Sequence, residues 1–321
     1  MEPTTLTART PEDLLALAPL VLGFQPEESL VMLTFGARAF HARVDLPDTD
    51  ADVPQVVEML LTPVLVHDLR RVAFLVFSGR APRPGLARAL VEAFTAEGVS
   101  VVDVIQADGR QWFPLPPEGG RGPAADYDLS RHRFAAEGIL RGQVTYSSRA
   151  ALAASIAPSP SQVARTATHL AELPERLAAR QRAAEAGWLR SAMAAADRRD
   201  PVADPDPGDL DTARLVRDLA DPALWEVALR AQSRECADSQ TALWTHVLRA
   251  APPGWVAGPA SLLGFVAWLG GQGALAWCAI DRCRAERPDD GWALALSDLL
   301  LHAVPPSRWR DDLDRVVRDL A

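Results

Sequence analysis

The sequence predicts an α/β domain followed by an all-α region, on three observations. Between residues 30 and 105, apolar runs of strand length alternate with segments whose apolar residues recur at helical spacing. A stretch rich in Pro and Gly, Pro114 to Pro123, then interrupts the pattern. Beyond it every patterned segment has helical period, and Trp residues punctuate the segments. The expectation is a mixed, mostly parallel sheet opened by a β-hairpin, followed by a helical-hairpin array. Boundaries fall at 1–118 for the α/β domain, 124–200 for a helical connector and 208–321 for the array.

The elements follow in order. Thr10-Pro11-Glu12-Asp13 is a helix start, with a Thr cap, Pro at the first position and acids in the first turn. Pro19 predicts that this helix is short or kinked. The loop Gly23–Ser29 precedes Leu30–Phe35, which pairs with Phe40–Leu46 around Gly36-Ala37-Arg38-Ala39. In the second strand Phe40, Ala42, Val44 and Leu46 face one way, and His41, Arg43 and Asp45 the other. A two-residue hairpin loop would set Leu30 opposite Asp45 and Met32 opposite Arg43. Val53, Val56, Val57, Leu60, Leu61, Val64 and Leu65 mark a helix, and Val72–Phe77 a strand covered on both faces. Pro84 to Glu97 is a second helix, closed by Gly98. Val99–Ile105 is a further buried strand, and Gln111-Trp112-Phe113 returns as an edge. Right-handed crossovers make the strands beginning at Phe40, Val72 and Val99 mutually parallel. Helices are then expected near 129–140, 147–156, 161–173, 174–196, 211–219, 222–232, 238–250, 259–269, 274–286, 291–303 and 305–320.

Composition narrows the chemistry. A net charge of −9 argues against a protein that grips duplex nucleic acid through a basic surface. All 33 basic residues are Arg, so Schiff-base chemistry and a phosphate-binding Lys of the Walker type are excluded. Cys236, Cys278 and Cys283 form no C-x-x-C pair; they fit buried fillers in a reducing cytoplasm. Met1–Thr5 shows no signal-peptide pattern. Ala250 to Ile280 lacks charge, but Pro252, Pro253, Pro259 and the glycines at 270, 271 and 273 divide it into two buried helices rather than one membrane span. G-x-S-x-G, H-E-x-x-H and G-x-G-x-x-G are absent, and the six His stand singly. The acidic run from Asp204 to Asp211 has two prolines and no closing Glu, so it is a solvated linker rather than a calcium loop. No cofactor or metal is expected.

The candidate site comes from topology. Ligands on parallel strands bind beyond the carboxyl ends. Asp45, Ser78 and Arg80 lie at such ends, and the antiparallel first strand brings Glu28 and Ser29 to the same edge. The expected cluster is Glu28, Ser29, Arg43, Asp45, Ser78 and Arg80. It serves either as a polar or anionic ligand site with Arg80 as the cation, or as a salt-bridged seam.

Leu-Gly-Phe-x-Pro-x-x-Ser-Leu (22–30) and Arg43-Val44-Asp45-Leu46-Pro47 resemble an actinobacteria-type family known only as a domain of unknown function. So do Ala135-Ala136-Glu137-Gly138 with Ser148-Arg149-x-x-Leu152, and Ala267-Trp268-x-x-Gly271-x-Gly273-Ala274 leading to Pro288. The resemblance runs over nearly the whole chain and implies one evolved unit. It implies no activity. Gln272 departs from it, since the family carries an acidic residue there. The functional expectation is a cytoplasmic, non-enzymatic binding protein with a protein partner or a small polar or anionic ligand. The alternative is a hydrolase working through Ser29, Asp45 and Arg80. Nucleic-acid binding through the Arg-rich 174–196 helix is disfavoured, because Glu175 and Glu185 make it a solvated mixed-charge face.

Overall fold

The computed structural model describes residues 7–36, 39–81, 84–140, 144–198 and 206–306. Met1–Thr5, turn residues Ala37 and Arg38, Asp204, and all of the helix expected near 305–320 beyond Pro306, with Trp309, lie outside the described residues. The chain divides into two compact units, Met1–Ala151 and Leu152–Ala321.

The first unit is built on a six-stranded mixed sheet of order β2-β1-β3-β4-β5-β6. The strands are β1 (Ser29–Thr34), β2 (His41–Asp45), β3 (Arg71–Phe77), β4 (Ser100–Ala107), β5 (Gln111–Pro114) and β6 (Ala125–Asp126). β2, β3 and β4 share a direction, as the crossover rule requires. The ladder is nonetheless mostly antiparallel: β1 lies between β2 and β3 and opposes both, so the parallel pair is β3 with β4. Every residue of β1 is buried, which explains the unbroken apolar run from Leu30 to Leu33. β5 is not the edge, because β6 pairs outside it.

The hairpin register differs from expectation by one residue. Ser29 stands opposite Asp45, Leu30 opposite Val44 and Val31 opposite Arg43. The connection is longer than two residues, and the side-chain period of two then decides the register. Leu30 opposite Asp45 would have put a carboxylate on the face of Leu30 and Met32. The observed register joins them to Ala42 and Val44 instead.

That face carries the larger core. Helices α2 (Val53–Val66) and α3 (Pro84–Ala96) are successive crossovers moving the same way across the sheet, so both pack on one side. Val53, Val57, Leu60 and Val64 of α2 meet Leu86, Leu90 and Phe94 of α3 over Leu30, Met32, Phe74 and Val76. Phe74 and Phe94 pack edge to face, with ring centroids 5.0 Å apart. Burying one such side chain contributes roughly 1.5–3 kcal/mol. The opposite face, with Val31, Leu33, Ala73, Leu75 and Ile105, is covered by α1 (Pro11–Leu22) and by Phe134 of α4 (Arg133–Leu140). Thr10 and Asp13 close a capping box, and α1 continues through Pro19. It ends at Gly23, whose φ of 77° favours glycine.

α5 (Arg149–Ser155) carries the chain into the second unit. There follow α6 (Pro160–Glu172), α7 (Ala179–Ala196), α8 (Asp209–Asp218), α9 (Pro222–Arg230), α10 (Ala237–Ala250), α11 (Ala257–Leu269), α12 (Gly273–Glu286) and α13 (Gly291–Leu301). The uncharged stretch is indeed divided, into α11 and α12. No helix among the described residues is long and apolar enough to cross a membrane. All of α11 is buried, and the Glu286 carboxylate of α12 caps its start by accepting from the N–H groups of Gly254, Val256 and Ala257. Gly258 lets α11 approach α8 closely: a Cβ there would lie 2.3 Å from the Leu219 carbonyl oxygen.

One helix departs from its expected character. Glu185 of α7 is not solvated. It is buried and paired with Arg214 and Arg217 of α8. The Arg214 guanidinium also stacks 3.7 Å from the centre of the Trp188 ring. Helix α7 begins at Ala179, five residues after the expected start at Pro174.

Candidate functional site

The loop between α1 and β1 is fixed from behind. Phe24 and Pro26 are buried, while Gln25 and Glu27 point outward. Phe24 bridges Tyr146: the Tyr146 N–H donates to the Gly23 carbonyl (2.8 Å) and the Gln25 N–H to the Tyr146 carbonyl (2.9 Å). At the far end Glu28 has a φ of 42°, in the left-handed region that a non-glycine residue adopts only at a cost. Its carbonyl accepts from the Leu46 N–H, extending the β1–β2 ladder by one step.

This geometry brings the six expected residues to one edge, in two arms. In the first, Ser29 is fully buried; its hydroxyl donates to the Glu27 carbonyl (2.6 Å) and accepts from Arg43 Nε (2.8 Å). Arg43 in turn pairs with Asp45 at 2.7 Å, and Asp45 is 84% exposed. All three side chains share the face covered by α1, as the register dictates. In the second arm, the Ser78 hydroxyl donates to Glu28 Oε1 at 2.9 Å, and Arg80 Nε lies 3.0 Å from Glu28 Oε2. The side chains of Glu28 and Arg80 are 44% and 70% exposed. Ser78 is buried, and its hydroxyl also accepts from the Arg80 N–H.

Gln106 is the residue that sequence reasoning missed. It lies near the end of β4, 2% exposed, and its amide NH₂ donates to the carbonyls of both Ser78 (2.9 Å) and Arg80 (2.8 Å). It thereby fixes the backbone that presents Arg80. Its Oε1 is buried and receives no donor from the described residues. The available signal was a single amide directly after the apolar run Val104-Ile105.

The chemistry available to Ser29 is limited. Its oxygen already donates to a carbonyl and accepts from a guanidinium, so neither contact is a general base. His41 shares the face of Arg43 but stands opposite Leu33, and burial pushes its pKa down to about 4.

A second polar knot ties α1 to α4. Burial raises the pKa of Asp13, but the N–H groups of Arg9 and Thr10 and the Arg133 guanidinium outweigh it and hold the carboxyl below the usual range. His132 Nε2 lies 3.1 Å from Asp13, and its Nδ1 accepts from the Phe134 N–H. Both ring nitrogens are therefore engaged, as expected of an orienting contact rather than a proton shuttle.

Among the described residues no group of three or more His, Cys, Asp or Glu is placed to hold a metal ion. Cys278 and Cys283 are buried, and desolvation pushes the Cys283 thiol up to about 12, far from a reactive thiolate.

Residues 11–307 match the model of the family described as Domain of unknown function (DUF4192), and the chain belongs to that family. No curated protein and no solved structure matches.

Proposed function

We propose that this chain is a non-enzymatic binding protein, and that the sheet edge at Glu28, Ser78 and Arg80 takes a small polar or anionic ligand. The observation that carries this reading is Arg80. It is a mostly exposed guanidinium on a backbone held by Gln106 and Ser78, at the carboxyl ends of the paired parallel strands. An Arg whose only task was solubility would not need a buried amide to position its carbonyl. Ser29, Arg43 and Asp45 form the supporting arm that fixes β1 against β2. A protein partner and a cytoplasmic location belong to the same reading; the three cysteines, none of them in a disulfide, support the latter. Nucleic acid does not, because α7 turns Glu185 inward onto Arg214 and Arg217 and the net charge is −9.

A thermal-shift panel of small carboxylates, phosphate and sulfate on wild type and Arg80→Ala tests the reading. At least one anion should raise the melting temperature of wild type and leave Arg80→Ala unmoved. Equal shifts in both proteins would remove the site.

A further inference from the structure

The second arm has the form of an occupied site. One carboxylate, that of Glu28, sits with one oxygen on the Ser78 hydroxyl and the other against Arg80. That is how a small carboxylate would be held by a hydroxyl and a guanidinium. We infer that Glu28 is a built-in occupant of this seat, and that the site opens to a small carboxylate ligand when Glu28 swings away. The inference rests on the binding reading above and adds its regulation and its ligand class.

Three features support displacement rather than a permanent lock. The Glu28 side chain is 44% exposed, so it has a way out to solvent. Its Oε2 is buried beside Arg80 yet receives no aligned hydrogen bond from the described residues, so the contact with the cation is an ion pair alone. Its backbone is held at a φ of 42°, a left-handed conformation that costs a glutamate strain. The seat without Glu28 is still built. Ser78 is buried and held through its own carbonyl, and Arg80 through both its N–H and its carbonyl. An incoming carboxylate replaces one anion by another at Arg80, so the charge of the seat is unchanged and no proton moves.

Isothermal titration calorimetry of the full chain with succinate, acetate and inorganic phosphate tests this. Glu28→Gly removes the carboxylate and relaxes the left-handed backbone, so it should fold at least as well as wild type. Glu28→Asn, which also tolerates that conformation, is the second variant. Both should bind succinate about tenfold more tightly than wild type, since roughly one charge-assisted contact no longer competes. Adding Arg80→Ala to either should abolish binding. If the Glu28 variants bind no more tightly while Arg80→Ala still abolishes binding by wild type, the built-in occupant falls and the site stands. If phosphate binds better than both carboxylates, the ligand class falls. If none of the probes binds wild type or either variant, or if Arg80→Ala binds as well as wild type, the site itself falls and takes the inference with it.

Discussion

Two charge networks among the described residues have similar composition and opposite construction. At the sheet edge, Arg43 and Arg80 serve Asp45 and Glu28, and each arm ends in an exposed group. In the helical unit, Arg214 and Arg217 serve Glu185 and Asp218, and Arg217, Asp218 and Glu185 are all buried. Exposure decides what such a network can do. Water screens the first, so its members can change partners at little expense. In the second, Arg217, Asp218 and Glu185 are shut from water and only Arg214 is partly exposed, so each buried charge depends on its neighbours. Arg217 bridges a glutamate on α7 and an aspartate on its own helix, which fixes how those two helices meet.

The contrast is sharpest under substitution. Arg217→Ala strands the buried Asp218 carboxylate, leaves Glu185 to Arg214 alone, and should cost about 3–5 kcal/mol. Urea denaturation followed by Trp fluorescence would measure it, because eight of the nine Trp residues lie after residue 151. A destabilisation under 1 kcal/mol would mean that the helical network is as permissive as the sheet edge.

Acidity separates the networks next. Burial raises the pKa of Glu185, but Arg214 and Arg217 outweigh it and hold that carboxyl below its usual range. Asp218 has no such surplus, and burial pushes it up to about 7. From the ordinary carboxylate range up to about 7, the folded chain keeps a proton that the unfolded chain releases. Asp218 therefore withdraws stability as pH rises through that window. Asp218→Asn should flatten the fall in urea midpoint between pH 4 and 7; an unchanged slope would refute the assignment.

Smaller effects belong to the sheet edge. Ser29→Ala deprives Arg43 of a buried acceptor and should cost roughly 1–2 kcal/mol, read by hydrogen exchange of the β1 amides. Asp45→Ala, with its carboxylate 84% exposed, should change stability by no more than about 0.5 kcal/mol. A loss above 1 kcal/mol in that variant would show that Asp45 locks the edge as Glu185 locks the helices.

The sequence disclosed these regions unequally. Strands and helices were legible because period two and period 3.6 leave different marks, and the carboxyl-edge rule then brought Glu28, Ser29, Arg43, Asp45, Ser78 and Arg80 together. The register was not legible: it depends on a loop whose length cannot be counted from pattern, and a one-residue slip exchanges the faces. Gln106 escaped because an amide at a strand end has the same local signature whether it faces water or holds a loop. Glu185 escaped for a related reason. Arg and Glu on one helix look solvated until another helix, here carrying Arg214 and Arg217, covers them. The left-handed backbone at Glu28 left no mark at all, since Glu carries no preference for it.

The position of β1 between β2 and β3 also fixes an order of assembly. Ser29 and Arg43 are 14 residues apart, so their contact closes with the hairpin, early and locally. Ser78 and Glu28 are 50 apart, and Gln106 lies 28 and 26 residues from the carbonyls it holds. Those contacts wait for β3 and β4 to dock, and loop closure makes them slower. During synthesis the residues of the first arm are thus all present well before those of the second. Until residue 106 has emerged, the backbone at Ser78 and Arg80 lacks the amide that holds both of its carbonyls.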